Sequence, residues 1–196
     1  MSKSYYDKNA ERFISDTTHV DMSEHYENFL PWIPNGGSII DAGCGSGRDS
    51  LAFKNMGYEV HAFDASSAMV AATRKLAVVP VSKMTFQTCT FNQAFDGIWA
   101  CASLLHVPRS ELSMVLANLA SVLNNDGIIY ASFKYGDVER DKGGRYFNDM
   151  TEELLAEHIS DVPSLTITKT WATGDVRVGR SGEKWLNCIM QQNTGK

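Results

Sequence analysis

The chain has 196 residues, of which 43% are hydrophobic and 21% charged, and its formal net charge is −5. This composition is typical of a globular domain with a substantial core, and the acidic balance argues against a surface for nucleic acid or anionic membrane. No apolar run reaches the roughly 18 residues of a membrane span, and the N-terminal MSKSYYDKNAERF lacks the apolar core of a secretion signal. We therefore expect a cytoplasmic protein that binds neither nucleic acid nor membrane.

The four cysteines, Cys44, Cys89, Cys101 and Cys188, are scattered along the chain without CxxC spacing. Three of them lie in or beside apolar, strand-like runs. The pattern indicates free thiols in a reducing compartment, so neither a metal site nor a disulfide framework is expected.

The segment before residue 36 predicts a cover of two helices. Apolar residues recur at helical spacing within residues 4–16. A second helix is predicted over residues 21–32, where Asp21 or Ser23 can cap the start and prolines close the end.

Strands and helices alternate after this cover. Strands are predicted over 38–41, 58–63, 84–89, 97–101 and 128–133, and helices over 48–56, 66–76 (capped by Ser66) and 110–123. Residues 135–148 are predicted to be a glycine-rich, charged loop, and Thr151 to cap another helix. Two β-rich runs, 165–171 and 184–190, follow.

This alternation predicts an α/β fold with a parallel sheet covered on both faces. The last two strands are too close in sequence for a crossover helix, so they should form a hairpin with one antiparallel strand. We expect a Rossmann-like, doubly wound, mostly parallel seven-stranded sheet with an antiparallel last strand, in three αβα layers. One domain is expected over 1–196: a helical cover (1–35), a cofactor-binding core (36–135), and a late loop, helix and terminal hairpin (136–196).

The stretch SIIDAGCGSGR joins the first strand to a helix that opens at Arg48. Its glycines, Gly43, Gly45 and Gly47, tolerate positive φ and allow close approach of a ligand, and a helix N-terminus offers unpaired N–H groups to an anion. In a doubly wound sheet the ligand lies outside the carboxyl ends of the strands. Asp64 ends the second strand about 20 residues after Gly43, where a carboxylate can accept both hydroxyls of a ribose.

The glycine spacing distinguishes two nucleoside-type cofactors. A dinucleotide fingerprint requires glycine at its sixth position, where this chain has Arg48. Asp41 precedes the glycines, and an acid there suits a ligand with a cationic amino group. S-adenosylmethionine has that amino group, a carboxylate, a ribose and an adenine. The pattern therefore favours this cofactor over a nicotinamide dinucleotide.

Four segments resemble motifs of the class I S-adenosylmethionine-dependent methyltransferases. IIDAGCGSG is similar to their motif I, HAFDAS to their second motif, FDGIWACASLLHVP to their fourth, and LNNDGIIYASFK to the element before strand 5. The resemblance covers about residues 36–135. The GRDS after motif I, together with the small size of the chain, resembles the tellurite-resistance-like branch of small-molecule methyltransferases.

The resemblance implies S-adenosyl-L-methionine as cofactor and S-adenosyl-L-homocysteine as product. Asp41 and the backbone of Gly43 and Gly45 would hold the methionine part, Asp64 the ribose, and Ala65 and Met69 the adenine. Further cofactor contacts are expected at Tyr6, Cys44, Arg48, Thr90, Phe91 and Ala102. Thr90 departs from the family, which often places an acid after strand 3 to accept from the adenine amino group.

Methyl transfer requires an acceptor lone pair aligned behind the methyl carbon and shielded from water. A base is needed only if the acceptor must first lose a proton. His106, in the loop after strand 4, is the candidate catalytic base; the alternative is that it simply packs or bonds to backbone there.

The acceptor pocket is predicted from late segments. The candidates are Arg140, Arg145 and Tyr146 in the 135–148 loop and Trp171, Arg177 and Arg180 in or beside the terminal hairpin. Arginines near a cleft can clamp a carboxylate or another small anion. The alternative is a solvated surface loop.

We interpret the chain as a methyltransferase that acts on a small molecule, as a monomer or homodimer. The alternatives are a non-catalytic module that binds S-adenosylmethionine or a partner protein, and a nicotinamide-dependent oxidoreductase. The sequence specifies neither the acceptor nor the atom that is methylated.

Overall fold

A seven-stranded sheet forms the centre of the computed structural model, which describes residues 2–177 and 182–193. In chain order the strands are β1 (Ser38–Ala42), β2 (Glu59–Asp64), β3 (Val81–Lys83), β4 (Phe95–Ala100), β5 (Leu123–Lys134), β6 (Glu139–Lys142), β7 (Arg145–Asn148), β8 (Leu165–Gly174) and β9 (Lys184–Gln192). The large sheet has the order β3-β2-β1-β4-β5-β9-β8, and β6 and β7 form a separate hairpin. β9 is antiparallel to both of its neighbours, which confirms the predicted topology.

Helices pack against both faces of this sheet. They are α1 (Ser2–Lys8), α2 (Ala10–Thr17), α3 (Ser23–Phe29), α4 (Arg48–Asn55), α5 (Ser67–Ala77), α6 (Arg109–Ala120) and α7 (Glu152–Ser160). Within the part of the chain that the structure describes, no helix is both long and apolar enough to cross a bilayer.

Successive residues of the central strands supply two separate cores. In β4, Ile98 joins the cluster under α6 and α7, whereas Trp99 joins the cluster under α3 and α4. In β5, Ile129 and Tyr130 divide in the same way, as expected for a strand buried on both faces. The Trp99 and Tyr130 rings stack at 4.0 Å.

The N-terminal cover differs from the prediction in its helix boundaries. The predicted helix over 4–16 is divided at Asn9, whose side-chain amide donates to the Tyr5 carbonyl at 2.9 Å. Such a side-chain bond to the backbone competes with helix continuation. The helix predicted over 21–32 ends at Phe29, and Leu30–Trp32 forms a 3₁₀ turn that contains Pro31.

The strand predicted over 84–89 is wrong. The strand is instead Val81–Lys83, and Phe86–Thr88 forms a short 3₁₀ turn. The Thr85 and Thr88 side chains each accept from the backbone N–H of the other residue across this turn, which satisfies backbone groups that a longer strand would have paired.

The predicted loop over 135–148 is also wrong, because most of it forms the β6–β7 hairpin. Gly143 and Gly144, with φ of +59° and +78°, make its two-residue turn. Two adjacent left-handed residues are characteristic of the turn that best fits strand twist.

Candidate active site

A cavity of about 540 Å³ opens at the carboxyl ends of β1, β2 and β4. The glycine turn and Asp64 line it, and Tyr6 and Phe13 of α1 and α2 cover it. The cavity therefore lies where a doubly wound sheet places its ligand.

Most of the predicted site residues line this cavity. Those that do are Tyr6, Gly43, Cys44, Gly45, Arg48, Asp64, Ala65, Met69, Ala102, His106, Arg145 and Tyr146. Those that the structure does not bring to it are Asp41, Thr90, Phe91, Arg140 and Trp171.

The glycine turn is shaped by contacts on both of its sides. Gly43 has φ +79°, and a Cβ there would lie 2.5 Å from the Cβ of Ser103 in the loop after β4. Gly45 has φ +53°, and its Cβ position is 3.2 Å from the Phe13 ring. A side chain at either position would displace the loop after β4 or the cover, so glycine keeps the turn open beneath Phe13.

Asp64 connects the glycine turn to the start of α5. One carboxylate oxygen accepts from the Gly45 N–H at 3.0 Å and the other from the Ser66 N–H at 2.8 Å. Burial raises its pKa. These two bonds fix the carboxylate, and each oxygen keeps a lone pair for a ligand hydroxyl.

Residues 84–87, rather than Thr90 and Phe91, follow the third strand at the cavity. The tight turn after Lys83 brings Met84, Thr85, Phe86 and Gln87 there. Phe91 instead packs on Phe95, with ring centroids 5.1 Å apart. The substitution of Thr90 for an acid therefore lies away from the cavity, and the sequence prediction failed because it shifted the strand.

Asp41 is buried beneath the glycine turn. Its carboxylate accepts from the Ser50 hydroxyl at 2.5 Å, and its side chain does not line the cavity. Burial and the neighbouring Asp49 carboxylate raise its pKa. The expected direct contact with a cationic amino group is not available to this side chain, because Asp41 faces α4.

Asp49 is the acidic residue that faces the cavity here, and the sequence prediction missed it. Arg48 donates to both of its carboxylate oxygens, at 2.7 and 2.8 Å. The Tyr26 hydroxyl and the Trp99 ring N–H donate as well, at 2.5 and 2.9 Å. Although burial opposes ionisation, the Arg48 guanidinium holds the pKa of Asp49 below its usual range. Arg48 is therefore already neutralised by its neighbour.

His106 has a defined tautomer. Its Nδ1 lies 2.6 Å from the Tyr146 carbonyl, which can only accept, so Nδ1 carries the proton. Its Nε2 then accepts from the Tyr6 hydroxyl at 2.8 Å. Burial lowers the pKa of His106 to about 4, so the ring is neutral and bonded on both sides.

Helix α1 is attached across the cavity at both of its ends. Asp7 accepts from the Ser66 hydroxyl at 2.6 Å, at the start of α5. At the other end, the Ser2 hydroxyl accepts from the Tyr146 N–H at 3.1 Å. These bonds join the cover to α5 and to the β6–β7 hairpin, so the cover is held across the cavity.

Two of the predicted acceptor residues have structural contacts elsewhere. Arg140 forms an ion pair with Asp149, and Trp171 packs near Tyr130 with ring centroids 6.0 Å apart. Arg177 does line the cavity, but it donates to Asp175 at 2.8 Å. Arg180 lies outside the described residues.

The far end of the cavity is formed by residues that the sequence did not indicate. β9 is antiparallel, so its first half lies beside the carboxyl end of β5. This brings Trp185 and Asn187 to the cavity with Lys134. His25 of α3 also lines it, and its buried Nδ1 has no hydrogen-bond partner among the described residues. The pairing of strands that are distant in sequence brings Lys134, Trp185 and Asn187 together, so no local sequence pattern indicates them.

Comparison with known proteins is consistent with this geometry. Residues 39–127 match the family model described as a methyltransferase domain. An uncharacterized methyltransferase of Staphylococcus carnosus is 28% identical over 136 residues, which are 66% of this chain and 66% of that protein. The magnesium-protoporphyrin O-methyltransferase of a Synechocystis strain is 26% identical over 56% of this chain and 53% of that protein. The chain thus spans between half and two thirds of these relatives.

Among solved structures, the fold resembles that of the Burkholderia thailandensis 1,6-didemethyltoxoflavin-N1-methyltransferase, crystallised with bound 1,6-didemethyltoxoflavin and S-adenosylhomocysteine. The TM-score is 0.79 at 19% identity, with 98% of this chain and 88% of that chain covered. Residues 39–127 thus match a methyltransferase domain, and the chain around them has the fold of a methyltransferase crystallised with S-adenosylhomocysteine. The chain's place in the tellurite-resistance-like branch stays a prediction.

Proposed function

We propose that this protein binds S-adenosylmethionine in the 540 Å³ cavity and transfers its methyl group to a small molecule held at the far end. The observation that carries the proposal is the sharing of one cavity by the glycine turn, Asp64 and a second, polar end. A cofactor at the first end leaves the second end for an acceptor.

The residues at the first end fit this cofactor. Gly45 offers a turn without a side chain beneath Phe13, and Asp64 is fixed to accept the ribose hydroxyls. Ala65 and Met69 supply apolar surface for the adenine, and Thr85 supplies a hydroxyl near it. The first turn of α4 leaves N–H groups for the carboxylate.

When bound, S-adenosylmethionine supplies a methyl group made electrophilic by the sulfonium; the acceptor lone pair forms the new bond while the sulfur–carbon bond breaks. The chain excludes water through α1 and α2 and orients both molecules. A proton leaving the acceptor can reach His106 only through Tyr6, because the Tyr6 hydroxyl occupies the free ring nitrogen. We therefore assign His106 a positioning role and Tyr6 the contact with the acceptor.

Exchange of His106 for alanine should lower kcat far more than affinity for S-adenosylhomocysteine, and Tyr6→Phe should have a similar effect. Because the two residues act as one unit, the double variant should lose little more than either single one. Steady-state kinetics and calorimetry on the three variants check this. Equal losses of kcat and cofactor affinity would argue against the assigned roles.

A small acceptor is supported by the size of the cavity, about 540 Å³, and by its position under α1 and α2. The names of one structural neighbour and one relative also contain small molecules, 1,6-didemethyltoxoflavin and magnesium protoporphyrin. We propose that the protein acts as a monomer or homodimer and that its three predicted segments work as one domain, since all three contribute to the cavity.

The test is transfer of radiolabelled methyl from S-adenosylmethionine into a panel of small-molecule acceptors, with S-adenosylhomocysteine release as a second readout. We expect the wild type to transfer labelled methyl to at least one acceptor and Asp64→Ala to transfer none. Binding of S-adenosylmethionine without transfer to any acceptor would favour the non-catalytic module. Binding of NAD instead would favour the oxidoreductase.

A further inference from the structure

Arg145 lies where the main cavity meets a smaller one of about 130 Å³ under α1 and α2. It lines both cavities. Its guanidinium lies over the Tyr5 ring at 4.7 Å and the Phe147 ring at 5.1 Å. The two aromatic rings hold the planar group in place, so little side-chain entropy remains to be lost when a ligand binds.

Arg145 differs from the other basic residues at the cavity in having no acidic partner. Arg48 is paired with Asp49, Arg177 with Asp175 and Lys134 with Glu183. Across residues 2–177 and 182–193, no carboxylate lies within ion-pair distance of Arg145, and its buried Nε has no hydrogen-bond partner. The nearby acids, Asp141 of the same hairpin and Asp16 of α2, also line these cavities without reaching it.

A partly buried guanidinium without a counter-ion is energetically unfavourable, because buried charges are ordinarily paired and hydrogen-bonded. Arg177 and Arg12 also line these cavities, but each is already paired with an acid, Asp175 and Asp16 respectively. A ligand that brings a negative charge would therefore remove the cost of burying the Arg145 guanidinium. The flat guanidinium fork matches the two oxygens of a carboxylate.

We infer that Arg145 is a specificity-determining residue that binds a carboxylate of the methyl acceptor. The inference rests on the proposed function, since it places this carboxylate beside the acceptor end of the same cavity. The acceptor is then a small organic acid whose carboxylate lies under the cover, near Tyr6 and His106.

The experiment compares acids with their amides as ligands of the protein saturated with S-adenosylhomocysteine. Benzoate, salicylate and anthranilate are titrated by calorimetry against benzamide, salicylamide and anthranilamide, with phenyl phosphate as a second kind of anion. In the wild type, we expect at least one acid to bind about tenfold or more tightly than its amide, as a charge-assisted hydrogen bond implies. Arg145→Gln should abolish that preference, and Arg145→Lys should retain part of it.

Lys142→Gln is the matched control. Lys142 lies opposite Arg145 in the strand register of the β6–β7 hairpin, but it is exposed and does not line the cavity. Lys142→Gln changes the net charge by the same amount as Arg145→Gln, and it should leave the preference for acids over their amides intact. Unchanged circular dichroism and S-adenosylhomocysteine affinity in Arg145→Gln exclude misfolding as the cause.

Three outcomes would overturn the inference: no acid preferred over its amide in the wild type, the same preference in Arg145→Gln as in the wild type, or tighter binding of phenyl phosphate than of every carboxylate. Failure of the wild type to bind S-adenosylhomocysteine at all would instead overturn the proposed function. The two failures are therefore distinguishable.

Discussion

At the scale of single residues, the environment of His106 decides its chemistry more than its position does. The sequence places it in the loop after β4, where a catalytic base is needed. The structure surrounds it with Tyr6 and the Tyr146 backbone, and these partners come from segments about 100 and 40 residues away. Loop position was therefore predictable, whereas the bonds that fix the tautomer and lower the pKa were not.

The buried His106 should make stability depend on pH in a defined window. Its pKa is about 4 in the folded protein against 6.5 for an unperturbed histidine, so the unfolded chain binds more protons between these values. Its contribution is full above pH 6.5 and is lost as pH falls toward 4, by up to about 3 kcal/mol. The free energy of unfolding from urea titrations should fall less steeply over this window in His106→Gln than in the wild type.

His19→Gln, at an exposed histidine, is the control and should follow the wild-type pH dependence. Subtraction between variants removes the contributions of the buried carboxylates, some of which have the opposite sign. A wild-type slope retained in His106→Gln would show that His106 does not titrate in this window.

The acidic residues show what spacing can and cannot predict. Asp64 lies at the cavity as expected, because the length of a β-strand–helix–β-strand unit fixes the end of β2 relative to the glycine turn. Spacing could not show which of Asp41 and Asp49 faces the cavity. Both lie near the turn, but the α4 contacts place Asp41 against Ser50 and Asp49 against Arg48 and Trp99.

At the scale of elements, local chemistry was predicted well where one side chain decides the outcome. Ser66 and Thr151 cap α5 and α7 as expected, and their hydroxyls accept from Met69 and Leu154 N–H groups at 3.3 Å. The third strand failed because Thr85 and Thr88 stabilise a turn within an apolar run. The β6–β7 hairpin was missed although its Gly-Gly turn was visible, since charged residues rather than alternating apolar ones flank it.

The junction between the glycine turn and α4 provides a test of packing between elements. Gly47 has φ +84°, and a Cβ there would lie 2.8 Å from the Thr73 Cα of α5. Gly57 has φ +91° with nothing within 4 Å of its Cβ position. Gly57→Ala should cost about 1–2 kcal/mol from backbone conformation alone. Gly47→Ala should cost about 1–3 kcal/mol more, because α5 must move.

Urea unfolding of the two variants, monitored by circular dichroism, measures this difference in the free energy of unfolding. Both substitutions change glycine to alanine at a left-handed residue, so each controls for the other. Equal losses in the two variants would show that α5 does not constrain the turn.

At the scale of the whole molecule, the cavity is assembled from all parts of the chain. α1 and α2 cover it, the core strands form its base, and the β6–β7 hairpin and β9 close its far end. The alternation of strands and helices predicted the fold and the cofactor end, because both follow from short connections. The acceptor end depends on which distant strands pair and on where the cover rests, which local sequence patterns do not encode.

The proposed function depends above all on whether the glycine turn and Asp64 form a site for S-adenosylmethionine rather than for a dinucleotide. Its most direct test is a calorimetric titration of S-adenosylhomocysteine and NAD into the wild type and Asp64→Asn, with Asp161→Asn, an exposed position at the end of α7, as control. We expect one S-adenosylhomocysteine to bind per chain, no NAD to bind, and the affinity for S-adenosylhomocysteine to be about tenfold or more lower in Asp64→Asn alone. Binding of NAD, or S-adenosylhomocysteine binding unaffected by Asp64→Asn, would contradict this expectation.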